Sequence, residues 1–365
     1  MPYDGFLVSE HTENKTGAEH KIIVKILAIP KGEIDRNACQ FRLYEEMEKL
    51  GCQVDDFRLV EPFQEKYEII HIHWPELFTD GKTIFHALKK SLKILYLLGR
   101  LKNKGSRVVW TCHDVISHKQ RFPRLEKYFM RMFIHKTDGI IAPLKSAYTY
   151  AVSYFPQLLK KSHVVIPTGH YIGIYPNETD QPEARERLKL PAGTRIIGFI
   201  GNISEYKGIY ELLDAFSKIE DQNTLLLLAG IPNNKQIQQD VEKVADKNQR
   251  IKVRWGLIPN NELQLYLNTA DVIVLPFRKI NNSGSLYLAL SFNKHTLVPD
   301  FPQMLEVKKK YAPEHVHTYP KGKLSSTDLT KLLENVKNDV QPDLAKMDYE
   351  VLAGETIDFF NSLVK

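Results

Sequence analysis

Along almost the whole chain, short apolar runs alternate with longer stretches of helical spacing, and the alternation falls into two successive blocks. A parallel strand buried on both faces reads as a continuous apolar run, and the crossover to its neighbour needs a helix, so the pattern is that of repeated βαβ units. In the first block, 22–28, 54–59, 69–73, 108–112, 139–142 and 164–166 read as strands, with helices over 38–50 and 83–102. In the second, the strands are 196–200, 225–229, 251–255, 272–275 and 296–298. The helix at 209–219 sets Ile209, Leu212, Leu213, Phe216 and Ile219 on one face at the i, i+3, i+4, i+7 spacing. Between the blocks, 175–193 holds Pro176, Pro182 and Pro191 and no strand pattern. The expected organisation is a polar N-terminal tail (1–21), an α/β domain (22–175), a linker (176–193), a second α/β domain (194–340) and a C-terminal helix (341–365). Residues 325–365 read as two helices interrupted near Pro342. Two Rossmann-like, doubly wound domains facing across a cleft bind ligands outside the carboxyl ends of their strands, which is where chemistry is sought.

Composition narrows the classes. The 365 residues include 50 Lys and Arg against 44 Asp and Glu, and this +6 charge allows a partner with phosphates or an anionic surface without requiring one. Three cysteines, Cys39, Cys52 and Cys112, with no CxxC spacing, exclude a disulfide framework and a cysteine zinc site and suit a reducing cytoplasm. The tail at 1–21 lacks the apolar segment of a signal peptide, and no run approaches the roughly 20 apolar residues of a membrane span. A cytoplasmic protein that is not an integral membrane protein is expected. GxGxxG, GxxxxGK[ST] and HExxH are all absent, which argues against a dehydrogenase, a P-loop kinase and a zincin.

Two loops at strand ends carry an anion-binding pattern. After the strand at 196–200 comes Gly201-Asn202-Ile203-Ser204-Glu205-Tyr206-Lys207-Gly208, then an amphipathic helix. A glycine closing a strand, followed by a lysine at a helix entrance, brings an ammonium and backbone N–H groups together. A glycine turn with a solvated lysine fits the same residues. The second loop, Asn281-Asn282-Ser283-Gly284-Ser285, precedes an apolar helix over 286–292. Small residues there let a phosphate approach the unpaired N–H groups and the positive end of the helix dipole, although N-capping by Ser283 or Ser285 is the commoner use of such residues.

The runs IGFIGNISEYKGIYELLDAF, LLLAG and VRWGLIPNNELQLYLNTADVIVLPF, the SGS loop and ALSFNKHTLVP resemble the donor domain of GT-B glycosyltransferases related to glycosyltransferase family 4. The resemblance covers about 195–300; the N-terminal half matches more loosely, through His71-Ile72-His73-Trp74-Pro75-Glu76 and Trp110-Thr111-Cys112-His113-Asp114. It implies a GT-B fold and a nucleotide sugar in the interdomain cleft. Gly201, Asn202, Lys207, Gly208 and the amides around Ser283, Gly284 and Ser285 would then form the donor site. Family 4 enzymes usually carry an arginine where Asn202 stands. The E-x7-E pair of retaining members falls on Ile280 and Leu288, neither of them acidic. The chain therefore resembles inverting relatives, among them bacterial mannosyl- and glucuronosyltransferases of exopolysaccharide assembly, and the resemblance implies GDP-mannose as the first donor to test.

Inversion needs a base for the acceptor hydroxyl. Glu76, just past Pro75 and a strand that sends His71 and His73 to one face, ranks first; Asp114 follows, then Asp80, with His73 and His113 as proton carriers or hydrogen-bond donors. A solvent-exposed turn glutamate fits Glu76 equally well. HxH followed by a carboxylate, with His113 and His118, resembles a metallohydrolase strand, but it stands third in a two-domain pattern and GT-B enzymes as a class work without a bound metal. No metal and no cofactor are expected. Cys112 beside His113 does not make a nucleophile pair, because consecutive strand residues point to opposite faces.

From Lys82 to Arg107 there are eight basic residues and no acid, interleaved with Ile84, Phe85, Leu88, Leu92, Leu95 and Leu98; from His118 to Lys136 there are six more against Glu126 alone. Basic amphipathic helices of this kind dock on anionic membrane surfaces, with Lys89, Lys90, Lys93, Arg100, Arg121 and Arg124 facing the lipid. Helices with one face in the core and lysines in water have the same composition. A lipid-linked or glycan acceptor is the expected partner besides the nucleotide sugar, and nucleic acid is not. A sugar-nucleotide epimerase of similar fold and a non-catalytic glycosyltransferase-like subunit are the alternatives.

Overall fold

The computed structural model describes residues 24–35, 37–117, 121–336 and 340–365; the tail at 1–21 and His118 lie outside them. Among the described residues, two six-stranded sheets form, every neighbouring pair parallel. The first contains β1 (Lys25–Ile29), β2 (Gln53–Asp56), β3 (Ile69–Ile72), β4 (Arg107–Thr111), β5 (Gly139–Ala142) and β6 (Ser162–Val165), in the order β2-β1-β3-β4-β5-β6. The second contains β7 (Arg195–Ile200), β8 (Thr224–Gly230), β9 (Ile251–Trp255), β10 (Val272–Val274), β11 (His295–Pro299) and β12 (Val316–Tyr319), in the order β12-β11-β10-β7-β8-β9. Strand order reverses between β1 and β3 in one sheet and between β7 and β10 in the other. Crossovers leave opposite faces at those points, opening a crevice at the carboxyl ends of the strands.

Each sheet is covered on both faces, which is why its strands read as unbroken apolar runs. On one face of the first, the helices Ile84–Asn103 and Pro123–Lys136 bury Leu98, Leu101, Phe129 and Phe133 against Val108, Trp110 and Ile140. On the other, the helix Ala38–Lys49 packs Tyr44 and Met47 beside Ile26 and Val54. That layer is completed from the far end of the chain: Leu352, Ala353, Ile357 and Phe360 of the helix Tyr349–Val364 enter the same core. The last helix thus belongs structurally to the N-terminal sheet, while its predecessor Ser326–Glu334 packs on the second through Leu329 and Leu332.

Two expectations need correction. The stretch at 176–193 contains the helix Gln181–Arg187, which buries Ala184 in the second domain's core. Pro182 lies in its first turn, where a missing N–H costs nothing, and the Asp180 side chain accepts from the Glu183 N–H at 2.9 Å. Strand β12 was absent from the apolar pattern because its sequence, VHTY, buries only its two ends.

Candidate active site

The second sheet's crevice gathers both anion loops around one cavity of about 400 Å³, lined by Gly201, Asn202, Lys207, Ser283, Gly284 and Ser285 among others. The Lys207 ammonium donates to the Ser285 hydroxyl at 3.3 Å. Burial pushes the Lys207 amine down to about 8, since a desolvated cation without a carboxylate beside it is disfavoured. Gly201 is dictated by its backbone conformation, and Gly208 by conformation and space together. At Gly201 (φ +118°) a Cβ would stand 3.7 Å from the Lys207 nitrogen, inside the cradle, and at Gly208 (φ +76°) it would lie 1.9 Å from the Pro276 carbonyl oxygen. Gly208 is buried beneath the loop and shapes it without lining the cavity.

At the helix Gly284–Ser291, the Ser283 hydroxyl accepts from the Leu286 N–H at 3.1 Å, so Ser283 is the cap. Its carbonyl takes the N–H groups of Leu286 and Tyr287. The N–H groups of Gly284 and Ser285, two residues that line the cavity, are left for a ligand. Ile280 and Leu288, at the places of the acidic pair of retaining enzymes, also line this cavity.

The first sheet's crevice holds a chain of buried side chains. Tyr44 Oη lies 2.8 Å from His71 Nδ1 and 2.8 Å from His73 Nε2; His71 Nε2 is 2.7 Å from Thr111 Oγ1, and His73 Nδ1 is 3.0 Å from His113 Nε2. The Trp74 ring stacks on His113 with centroids 5.0 Å apart. Burial drives His71 to about 3 and His113 to about 4, and holds His73 well below its ordinary value, so all three are neutral at pH 7. Both ring nitrogens of His71 and of His73, and Nε2 of His113, are engaged with one another, with Tyr44 and with Thr111. No group of three or more His, Cys, Asp or Glu side chains suited to a metal ion occurs among the described residues.

The acidic candidates separate here. Glu76 lies in the turn Pro75–Thr79 with 4% of its surface exposed, and its Oε2 has no hydrogen-bond partner. Burial, with Asp114 and Glu126 nearby, holds its carboxyl well above the usual range. It lines neither of the two cavities on this side of the cleft. Asp114 lines both, one of about 260 Å³ with His73, Trp74 and His113, the other of about 390 Å³ with Tyr206 and Asn281. The turn after Pro75 therefore buries Glu76 instead of exposing it, and of the two acids it is Asp114 that faces the cavities. Cys112 is a buried thiol, pushed well above its ordinary value by burial.

Residues to which the sequence motifs gave no bridging role hold the two halves together. The Asn281 amide donates to the carbonyls of His113 at 2.9 Å and Cys112 at 3.3 Å, and the Asn282 amide to the Thr168 hydroxyl at 2.6 Å. Asn260 donates to Asp35 at 2.9 Å, and the Tyr171 N–H to the Ser291 hydroxyl at 2.8 Å. Only the place of Asn281 and Asn282 within the second loop could have suggested this role, and a surface turn carries the same residues.

Of the basic surface, Lys89, Lys90, Lys93, Arg100, Arg121 and Arg124 are all exposed. Lys90 also donates to the carbonyls of Leu77 and Asp80, and Arg121 to that of Lys82. Between them stand exposed apolar side chains: Phe85 at 78%, with Ile84, Leu88, Leu92 and Tyr96 on the same helix and Tyr128 and Met132 on the next. Glu126, the single acid of the second basic stretch, is buried. No helix among the described residues is long and apolar enough to cross a membrane.

Comparison with known proteins agrees with this geometry. Residues 180–339 match the family described as glycosyl transferases group 1. A GDP-mannose:glycolipid 4-beta-D-mannosyltransferase of Xanthomonas campestris pv. campestris is 24% identical over 338 residues, spanning 90% of this chain and 88% of the relative. Among solved structures, sucrose-phosphate synthase from Thermosynechococcus elongatus superposes with a TM-score of 0.64 at 14% identity, covering 93% of this chain and 94% of that one. Anabaena Alr3699/HepE in complex with UDP-glucose gives 0.61 at 14% identity, covering 93% and 98%. Residues 180–339 thus form a glycosyl transferases group 1 domain, and the two facing doubly wound domains have the GT-B fold that these solved structures share.

Proposed function

We propose that the chain transfers a hexose, mannose from GDP-mannose first, from a nucleoside diphosphate sugar to a glycolipid acceptor, with inversion and without a bound metal. The observation that carries this reading is the meeting of two loops across the cleft. Asn281, four residues before Ser285, donates to the carbonyls of Cys112 and His113, and Asp114 lines one cavity with Gly284 of the anion cradle. The donor and glycolipid parts of the reading draw on the Xanthomonas relative, whose name states both. Inversion draws on the apolar Ile280 and Leu288 in the donor cavity, where a retaining enzyme would have carboxylates.

In the proposed step Asp114 accepts the proton of the acceptor hydroxyl as that oxygen bonds to the anomeric carbon. The bond from that carbon to the phosphate oxygen breaks, and the electron pair leaves with the nucleoside diphosphate. Its charge is met by the Lys207 ammonium and by the N–H groups of Gly284 and Ser285 at the positive end of their helix. The neutral imidazole of His113, stacked on Trp74 in the cavity shared with Asp114, is placed to hydrogen-bond the sugar. The exposed apolar and basic side chains of the helices Ile84–Asn103 and Pro123–Lys136 support peripheral docking on the cytoplasmic leaflet, where bacterial polysaccharide acceptors would be met.

The test is turnover with GDP-mannose and a glycolipid acceptor. Asp114→Asn should lower kcat by about 10²-fold or more while nucleotide binding persists. Glu76→Gln, isosteric and at a buried position that lines neither cavity, should stay within about threefold of wild type. Loss of activity in Glu76→Gln but not Asp114→Asn would return the base to Glu76. Release of an epimerised nucleotide sugar without any acceptor would replace transfer with epimerisation.

A further inference from the structure

Beyond the cleft, a cavity of about 1040 Å³ lies between the helix Lys145–Tyr154 of the first domain and the helix Pro302–Tyr311 of the second. It shares Tyr150, Arg278, Lys279 and Ile280 with the cavity that holds Asp114, so the two make one trough running outward from that carboxylate. Its floor is apolar and open to water: Tyr154 and Leu305 are 46% and 44% exposed, next to Phe301 and Pro302. Contiguous apolar surface of this kind is a mark of a binding groove.

The charges around the floor are almost all of one sign. Glu306, the acid in the lining, is fully engaged: it accepts from the N–H groups of Lys145 and Ser146, from the Ser146 hydroxyl and from the Lys310 ammonium. Arg278 is held by Glu205 and Glu211. Lys145, Lys279, Lys309 and Lys321 line the trough with no ion pair among the described residues. The Lys321 ammonium stands 4.8 Å above the Phe301 ring centroid, so cation and apolar surface adjoin at one point. The helix Lys145–Tyr154 also packs, through Ala151, into the core that carries the two basic helices with exposed apolar side chains. The trough's first wall thus belongs to the layer proposed to face the lipid.

We infer that this trough seats the phosphate-bearing, lipid-proximal part of the acceptor, an alkyl or prenyl diphosphate whose sugar hydroxyl reaches Asp114. The inference rests on the glycolipid reading above. Apolar floor and unpaired lysines together fit an anionic amphiphile; a free glycan has no use for either, and a polyanion without an alkyl chain leaves the floor uncovered.

Farnesyl diphosphate, farnesol and inorganic diphosphate, each titrated into the full chain by calorimetry, test it. Farnesyl diphosphate should bind at least about tenfold more tightly than either of the others. The double variant Lys309→Glu/Lys321→Glu should lose at least about tenfold of that affinity while its Kd for GDP stays within about twofold. Equal binding of farnesol and farnesyl diphosphate, an unchanged affinity in the variant, or an equal loss for GDP would each overturn the assignment. If wild type discriminates among the three probes but does not bind GDP-mannose, the trough stands and the donor reading falls.

Discussion

Replacing Lys207 by Met should make the free protein more stable and a worse nucleotide binder, and the two effects have one origin. Burial lowers the amine from 10.5 to about 8, which corresponds to about 3 kcal/mol of unfavourable desolvation at neutral pH, an upper bound because the side chain keeps some contact with water. The unfolded chain binds this proton more tightly than the folded one. The penalty is therefore fully present below about pH 8, and stability rises as pH climbs from about 8 towards 10.5. Lys207→Met removes the buried charge and should raise the apo Tm by a few degrees at pH 7. A bound diphosphate supplies the missing counter-charge and keeps the amine protonated, so binding above pH 8 takes up a proton. With a free-enzyme value of about 8, the Kd of GDP-mannose should rise about tenfold between about pH 7 and about pH 9, and Lys207→Met should flatten that slope. At pH 7 the variant should also bind about 10- to 100-fold more weakly, the range of a charge-assisted hydrogen bond. Calorimetric titration across the pH range reads both effects. An unchanged Kd in Lys207→Met, or a pH slope that survives it, would show that the ammonium does not hold the diphosphate.

Asn281→Ala removes two interdomain hydrogen bonds, each of about 1 kcal/mol. kcat/KM should fall about 5- to 30-fold, with donor Kd nearly unchanged because the cradle itself is intact; an effect confined to donor Kd would contradict the clamp. Gly208→Ala would set a Cβ 1.9 Å from a backbone oxygen, so the loop must move or the domain fail to fold. A loss of several degrees in Tm or of soluble protein is expected, and wild-type stability would refute it. In liposome flotation, binding should require anionic lipid and fall both in Lys89→Glu/Lys93→Glu, by charge, and in Phe85→Ser/Leu92→Ser, by lost apolar contact. Binding to neutral vesicles alone, or none, would return these helices to water.

That the two glycine-rich loops form one cradle was legible because their chemistry is local. A glycine at positive φ, a lysine six residues past Gly201 and small residues at a helix start each satisfy a backbone requirement that a short stretch of sequence displays. The catalytic side was less so. Glu76 and Asp114 both follow strands, and nothing in their neighbourhoods distinguishes a carboxylate facing a cavity from one turned under a loop. The prolines at 176–193 misled for a related reason: Pro182 occupies the one helical turn that tolerates it, and only the burial of Ala184 makes that turn a helix.

What the sequence determined by itself was the layering. Apolar period decides which residues must leave water, and two blocks of βαβ pattern leave little choice but two doubly wound sheets. The assembly across the cleft was decided in three dimensions. The helix Tyr349–Val364 returns to the first domain because Leu352, Ile357 and Phe360 complete a core begun by Ile26 and Tyr44, more than 300 residues earlier. Asn281 finds two carbonyls about 170 residues away, and that meeting, not any spacing along the chain, brings the segment before Asp114 against the loop that carries Ser283 and Ser285. Contacts of such separation leave no periodic trace, because each rests on a single pair of residues brought together only when both domains have folded.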